Sequence, residues 1–263
     1  MSLSLFITLL LIGFVGSFVS GMLGIGGSIV KYPLLLYIPP ALGLAAFTAH
    51  EVSGVSAVQV LFSSFFGVMA YKKDRVLNFE LIAYMGASIL LASFLGAYGA
   101  RFLSGDSINL VYGVLALIAA AMMFIPVAEP DVVDSDRFTF NKPIAIVAAA
   151  SIGVVSGVVG AAGAFILVPV MLLVLKVPTR MTIASSLAIT FISSIGTTTG
   201  KVLSGDVLLG PALIMIWASI LGAPLGARFG KTVDVRVLRT ILGVLVLLTC
   251  MKIWFDIFAG GRL

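Results

Sequence analysis

The first seventy residues of this chain carry only two formal charges, Lys31 and Glu51, and comparable uncharged runs recur at 81–100, 107–128, 143–175, 181–200 and 207–227. A helix that crosses a bilayer needs roughly 20 consecutive apolar residues. In lipid the backbone can satisfy its own polar groups only within helices or a closed barrel. Apolar residues make up 60% of the 263 positions and charged residues 10%, too little polar surface to coat a soluble domain of this size. The pattern predicts an all-α, polytopic transmembrane bundle whose first partner is the lipid bilayer.

Ten apolar segments can be counted, among them 4–23, 46–71, 163–176 and 181–200. The first has no basic n-region and runs past any plausible cleavage site, so it reads as a helix rather than a signal peptide. The connector AEPDVVDSDRFTFNK, 128–142, is polar and contains Pro130. It divides the segments five and five into a first transmembrane repeat, 1–127, and a second, 143–263. The single Cys250 excludes an internal disulfide and a multi-cysteine metal site. A net charge of +5 reflects basic loops between apolar runs, so no nucleic-acid partner is expected.

The halves repeat one another. VSGMLGIGGSIVKYP, 19–33, aligns without a gap to VSGVVGAAGAFILVP, 155–169, and GARF at Gly99–Phe102 recurs at Gly226–Phe229. Each half holds an odd number of crossings, whether all five segments span or the first two form a re-entrant pair. The second half must then sit upside down, the inverted-topology plan of secondary transporters. With the turn after the third segment in the cytoplasm, loops on that side carry eleven basic residues and loops on the other side three. Both termini are therefore expected outside the cytoplasm, with the chain in the cell membrane.

The seventh segment has 14 residues, roughly 21 Å of helix against a hydrocarbon core of roughly 30 Å. It does not cross alone, and the glycine clusters before segments 2 and 7 read as breaks in broken or re-entrant helices at mid-membrane depth. Helix tips at Gly26, Gly27 and Gly163 would aim free N–H groups at a shared anion. Lys31 lies about one turn beyond the first tip, within reach of that anion or of Glu51. Gln59 of segment 3 and Ser185 and Ser186 of segment 8 add neutral donors. The first half is thus expected to supply charge and the second neutral donors. His50 and Glu51, which open the third segment, are candidates for proton coupling. No second histidine completes a zinc site, no Walker loop or GxSxG occurs, and no metal or cofactor is expected.

GIGGSIVKYP and GAAGAFILVP, one per half, stand with a hydroxyl-bearing helix such as TIASSLAITF, the basic turn YKKDRV and GARF-type helix ends. In this order they resemble the signature of the sulfite exporter TauE/SafE family over nearly the whole chain. The resemblance implies a secondary transporter of a small sulfur-containing anion such as sulfite, thiosulfate or an organosulfonate, driven by the proton gradient through alternating access. Here the second half keeps ASSL, 184–187, where the first reads HEVSGVS, and Lys31 replaces an apolar residue. An anion channel is the alternative, and a membrane-embedded enzyme using His50 and Glu51 a more distant one, because no nucleophile and base are recognisably paired.

Overall fold

The computed structural model describes residues 2–24, 28–71, 77–123, 125, 138–161 and 163–258. Among them the chain forms ten α-helices and one 3-10 turn, Ala100–Phe102, with no strand. The first half contains α1 (Leu3–Leu23), α2 (Ser28–Ala41), α3 (Ala49–Tyr71), α4 (Phe79–Gly99) and α5 (Gly105–Met123). The second contains α6 (Lys142–Val159), α7 (Ala164–Leu173), α8 (Thr179–Leu203), α9 (Leu209–Thr232) and α10 (Val235–Phe258). Linker residues 128–137 and the basic turn at 72–76 lie outside the described residues.

Local chemistry sets the helix ends. Ser2, Asn78 and Asn141 cap α1, α4 and α6 by accepting from the N–H of Leu5, Leu81 and Ile144, the side-chain cap that orphan N–H groups require. At the other end α1 and α6 stop on Gly24 and Gly160, both left-handed at φ 76° and 75°, a conformation that any side chain would strain.

Among the described residues, seven helices are long and apolar enough to cross a membrane: α1, α3, α4, α5, α6, α8 and α9. The glycine breaks fall where the sequence places them, between the first and second helix of each half: α1, with 21 residues, and α6, with 18, are long enough to cross. The glycine breaks come at their ends, and only α2 and α7, with 14 and 10 residues, are short. Large apolar side chains such as Leu91, Leu95, Trp217 and Leu221 point outward; in lipid such a surface needs no cover.

The packing exchanges partners between halves. Helix α1 lies against α9 and α6 against α4, while α3 and α8 contact each other and the fourth helix of the opposite half. Backbones touch at matching glycines. A Cβ on Gly226 would overlap the carbonyl oxygen of Phe18 in α1, and one on Gly96 would overlap that of Val154 in α6. Phe18 and Val154 are equivalent in the aligned repeat, so the counterpart of Gly226 is Gly96. GARF-to-GARF matching is off by nearly one turn: Gly99 has nothing within 4 Å of its added Cβ, because packing follows the glycine face and not the letters beside it.

Helices α3 and α8 run antiparallel. At one end the start of α3 meets the α8–α9 turn, where a Cβ on Gly54 would overlap the carbonyl of Asp206. At the other end Arg180, opening α8, donates to the carbonyls of Gly230, Lys231 and Val233 at 3.0, 3.1 and 3.0 Å. Lys231 in turn reaches the carbonyl of Ala70 at the end of α3, at 2.6 Å.

Candidate functional site

Polar side chains gather halfway along α1, α3 and α9. Gln59, fully buried near the middle of α3, donates both amide hydrogens to α1, one to the carbonyl of Gly13 at 2.7 Å and one to Ser17 Oγ at 2.9 Å. Ser17 Oγ lies 2.8 Å from Ser219 Oγ of α9, which itself donates to the Met215 carbonyl. Direction follows by elimination: Ser17 accepts from Gln59 and donates to Ser219. Ser20 donates to Ser63 at 3.4 Å, a turn further along. One polar chain thus ties three helices at mid-depth, where every unpaired group would be costly.

Lys31 is the outlier in this layer. Its stem packs where α1 has no side chain, since a Cβ on Gly16 would overlap Lys31 Cγ. Gly16 and Gly13 are three residues apart on α1, so the Lys31 stem and the Gln59 amide lie about 4.5 Å apart along that helix. The side chain is fully buried, and Nζ has no hydrogen-bond partner among the described residues. The N–H donors of a sealed amine are thereby unused. A buried polar group without a partner is costly, and these idle donors are open to a ligand that accepts hydrogen bonds.

The pairing of Lys31 with Glu51 is not made. Glu51 accepts from the backbone N–H and hydroxyl of Thr48, at 2.8 and 3.0 Å, and closes the start of α3. His50 turns elsewhere, with Nε2 3.1 Å from the Leu103 carbonyl and Nδ1 3.5 Å from Asp206 Oδ2. Both residues sit at one end of the bundle, away from the mid-depth layer.

Other expected site residues are engaged by the protein. Gly26 and Gly27 lie outside the described residues. Ser186 donates to the Gly24 carbonyl at 2.8 Å, and Ser185 accepts from the N–H of Asn78. These hydroxyls fasten the α1 break and the entry to α4. Gly163 does cap α7, with φ 76°, but Ile152, Ser156 and Ile89 crowd its face, and Ser156 Oγ is spent on the Ile152 carbonyl. Gln59 is present in the layer yet has used its donors, leaving only Oε1 without a partner. The first half brings the lysine and the amide together.

Buried donors without partners also occur at Ser56, Thr190 and Ser193. Sequence reasoning missed Ser17, Ser219, Lys201 and Asp206. The two serines carry no signal of their own, whereas Lys201 and Asp206, a charged pair bracketing Gly205 in an apolar stretch, were detectable. Lys201 Nζ, fully buried, is 3.2 Å from Asp206 Oδ2. No group of three or more His, Cys, Asp or Glu able to hold a metal occurs among the described residues.

A multi-pass helical bundle with a sealed amine and a hydrogen-bonded amide at mid-depth has the architecture of a membrane transporter, working in a lipid bilayer on a small-molecule substrate. The chain belongs to the sulfite exporter TauE/SafE family, whose model matches residues 9–253. It is similar to the probable membrane transporter protein YunE of Bacillus subtilis, 25% identical over 273 residues that cover 97% of this chain and 99% of that protein. A probable membrane transporter protein of Methanocaldococcus jannaschii is 26% identical over 251 residues, covering 90% and 92%. One from Xylella fastidiosa is 30% identical over 191 residues, covering 70% and 69%. No solved structure matches the chain.

Proposed function

We propose that this protein is a secondary transporter that carries a small sulfur-containing anion, such as sulfite, thiosulfate or an organosulfonate, across the cell membrane. The proton gradient drives it, and access alternates between two inverted repeats, 1–127 and 143–263, with both termini extracytoplasmic. The observation that carries the reading is the buried, unpartnered amino group of Lys31. An anion entering the layer would stabilise the protonated side chain and take its idle donors. Gln59 would hold α1 and α3 in register beside it, and the free hydroxyls of Ser56, Thr190 and Ser193 are available as neutral donors. Gly163, Ser185 and Ser186 would serve as scaffold for the breaks.

Antiparallel α3 and α8, together with the exchanged packing of α1 and α6, support inverted repeats. The sealing of Lys31 supports alternating access over a channel, since a channel needs a continuous wet path past its selectivity site. His50 and Glu51 make separate contacts, so the enzyme reading loses the His50–Glu51 pair it was built on.

The test is uptake into proteoliposomes of sulfite, thiosulfate, methanesulfonate, sulfate and chloride, with and without a pH gradient. For Lys31→Met the apparent affinity for the transported anion should fall at least about tenfold, the value of one charge-assisted contact. Unchanged affinity, or uptake confined to chloride, would refute the reading.

A further inference from the structure

At the face predicted to be extracytoplasmic, one carboxylate holds two basic side chains from different helices. Asp206 Oδ2 lies 3.2 Å from Lys201 Nζ at the end of α8 and 3.5 Å from His50 Nδ1 at the start of α3. Lys201 is fully buried, while the Asp206 side chain is 12% exposed and that of His50 26%. His50 also reaches the Leu103 carbonyl in the connection from α4 to α5. The turn bearing Asp206 is pressed onto α3 at Gly54, where no side chain fits. His50 therefore joins the start of α3 to two other connections of this face, through the Leu103 carbonyl and the Asp206 carboxylate. Beside it opens a depression of about 480 Å³ lined by Ala46, Phe47, Thr48, His50, Gly105 and Asp106, a route by which water and protons reach the imidazole.

We propose that Asp206, bridging Lys201 and His50, is the proton-binding site of this protein and works as a latch on that face. With Asp206 ionised, the α8–α9 turn is held to α3 and the mid-depth layer stays closed. A proton entering through the depression and passing to the carboxylate cancels its charge, releases Lys201 and His50, and lets the turn lift from Gly54. The ammonium of Lys201, buried and left without its counter-ion, then attracts an anion from the same side, which links proton uptake to anion entry. The charged or titratable groups around Asp206 are Lys201 from α8 and His50 from α3, with Asp106 of α5 across the depression. Glu51 is occupied by Thr48, and Arg101 by Tyr98 at 2.6 Å. The latch itself stands on this geometry; its use in transport rests on the proton-coupled reading above.

Two measurements separate the two claims. In a Cys250→Ser background, Ser56→Cys places a thiol of near-native size in α3, two turns below His50. Its labelling by a membrane-impermeant maleimide, corrected for the reagent's own pH dependence, should accelerate about tenfold on acidification and show no acceleration once Asp206→Asn is added. Acceleration that survives Asp206→Asn, or none in the parent, overturns the latch. In proteoliposomes, a pH gradient should stimulate uptake of labelled thiosulfate by the unsubstituted protein but not by Asp206→Asn made in it, which should still exchange thiosulfate without a gradient. An operating latch in a protein that ignores the gradient would refute proton-coupled transport alone. Asp206→Asn strands the Lys201 charge, so the double variant Lys201→Met, Asp206→Asn is the control for folding. Asp206→Glu should keep the acid response with a shifted midpoint.

Discussion

Midway along the α1–α9 contact sit Ser17 and Ser219, with the Gln59 amide of α3 laid across them. At the equivalent depth of the α6–α4 contact sit Gly153 and Ile89, with Ile189 of α8 in the place of Gln59. Lys31 has Leu167 as its counterpart, two residues before the matching proline. The backbones of these two interfaces are alike, with the same left-handed glycine ends and the same glycine-to-carbonyl contacts. Their fillings are opposite, since Ile89, Ile189 and Leu167 are fully buried and apolar. The frame is thus shared by the two interfaces, and only one of them is polar inside. The lysine and the amide lie in one half, opposite an apolar twin.

Exchanging the residues that differ would break this comparison most sharply. Leu167→Lys should cost on the order of 3 kcal/mol, because the twin offers aliphatic neighbours and no waiting amide. The loss would be visible as a lower thermal midpoint in detergent. A variant as stable as its parent would mean that the second half accepts charge as readily as the first. Backbone equivalence is tested by Gly96→Val and Gly226→Val, each expected to cost about 2 kcal/mol through overpacking against a carbonyl. If one is tolerated and the other is not, the helices do not pack alike. The smallest effect belongs to Gln59→Ile, which installs the second-half residue in the first. Stability should fall by about 1 kcal/mol, as the Gly13 carbonyl loses its extra donor, while anion uptake should fall more steeply. Uptake that only tracks the amount of folded protein would remove the amide from the path.

Much of the frame could be read before any coordinates. The uncharged runs became helices, and the repeated Val-Ser-Gly ended in matching caps at Gly24 and Gly160 because hydropathy and glycine chemistry act over a few residues. Register between helices was less legible. Identical GARF letters drew the match to Gly99, though the contact is made by Gly96, which depends on which helix lies opposite. Lys31 stood out as a charge in an apolar run, and its idle state could not be seen without the neighbours that fail to meet it. Ser17 resembles any hydroxyl that bonds its own helix. Only the approach of α3 and α9 makes it a link in a chain. His50 was noticed for its chemistry but assigned to its sequence neighbour Glu51, whereas folding gave it Asp206, more than 150 residues away.

The exchanged packing also bears on how the molecule is made. Helix α1 is made well before α9, the helix it leans on. Until α9 arrives α1 must therefore wait in lipid with its glycine face and Ser17 uncovered, and α4 waits likewise for α6. Neither half can complete its own interior, so maturation is a late, concerted docking of segments inserted well apart in time. The membrane insertion machinery has to tolerate an unfinished protein until nearly the whole chain has arrived.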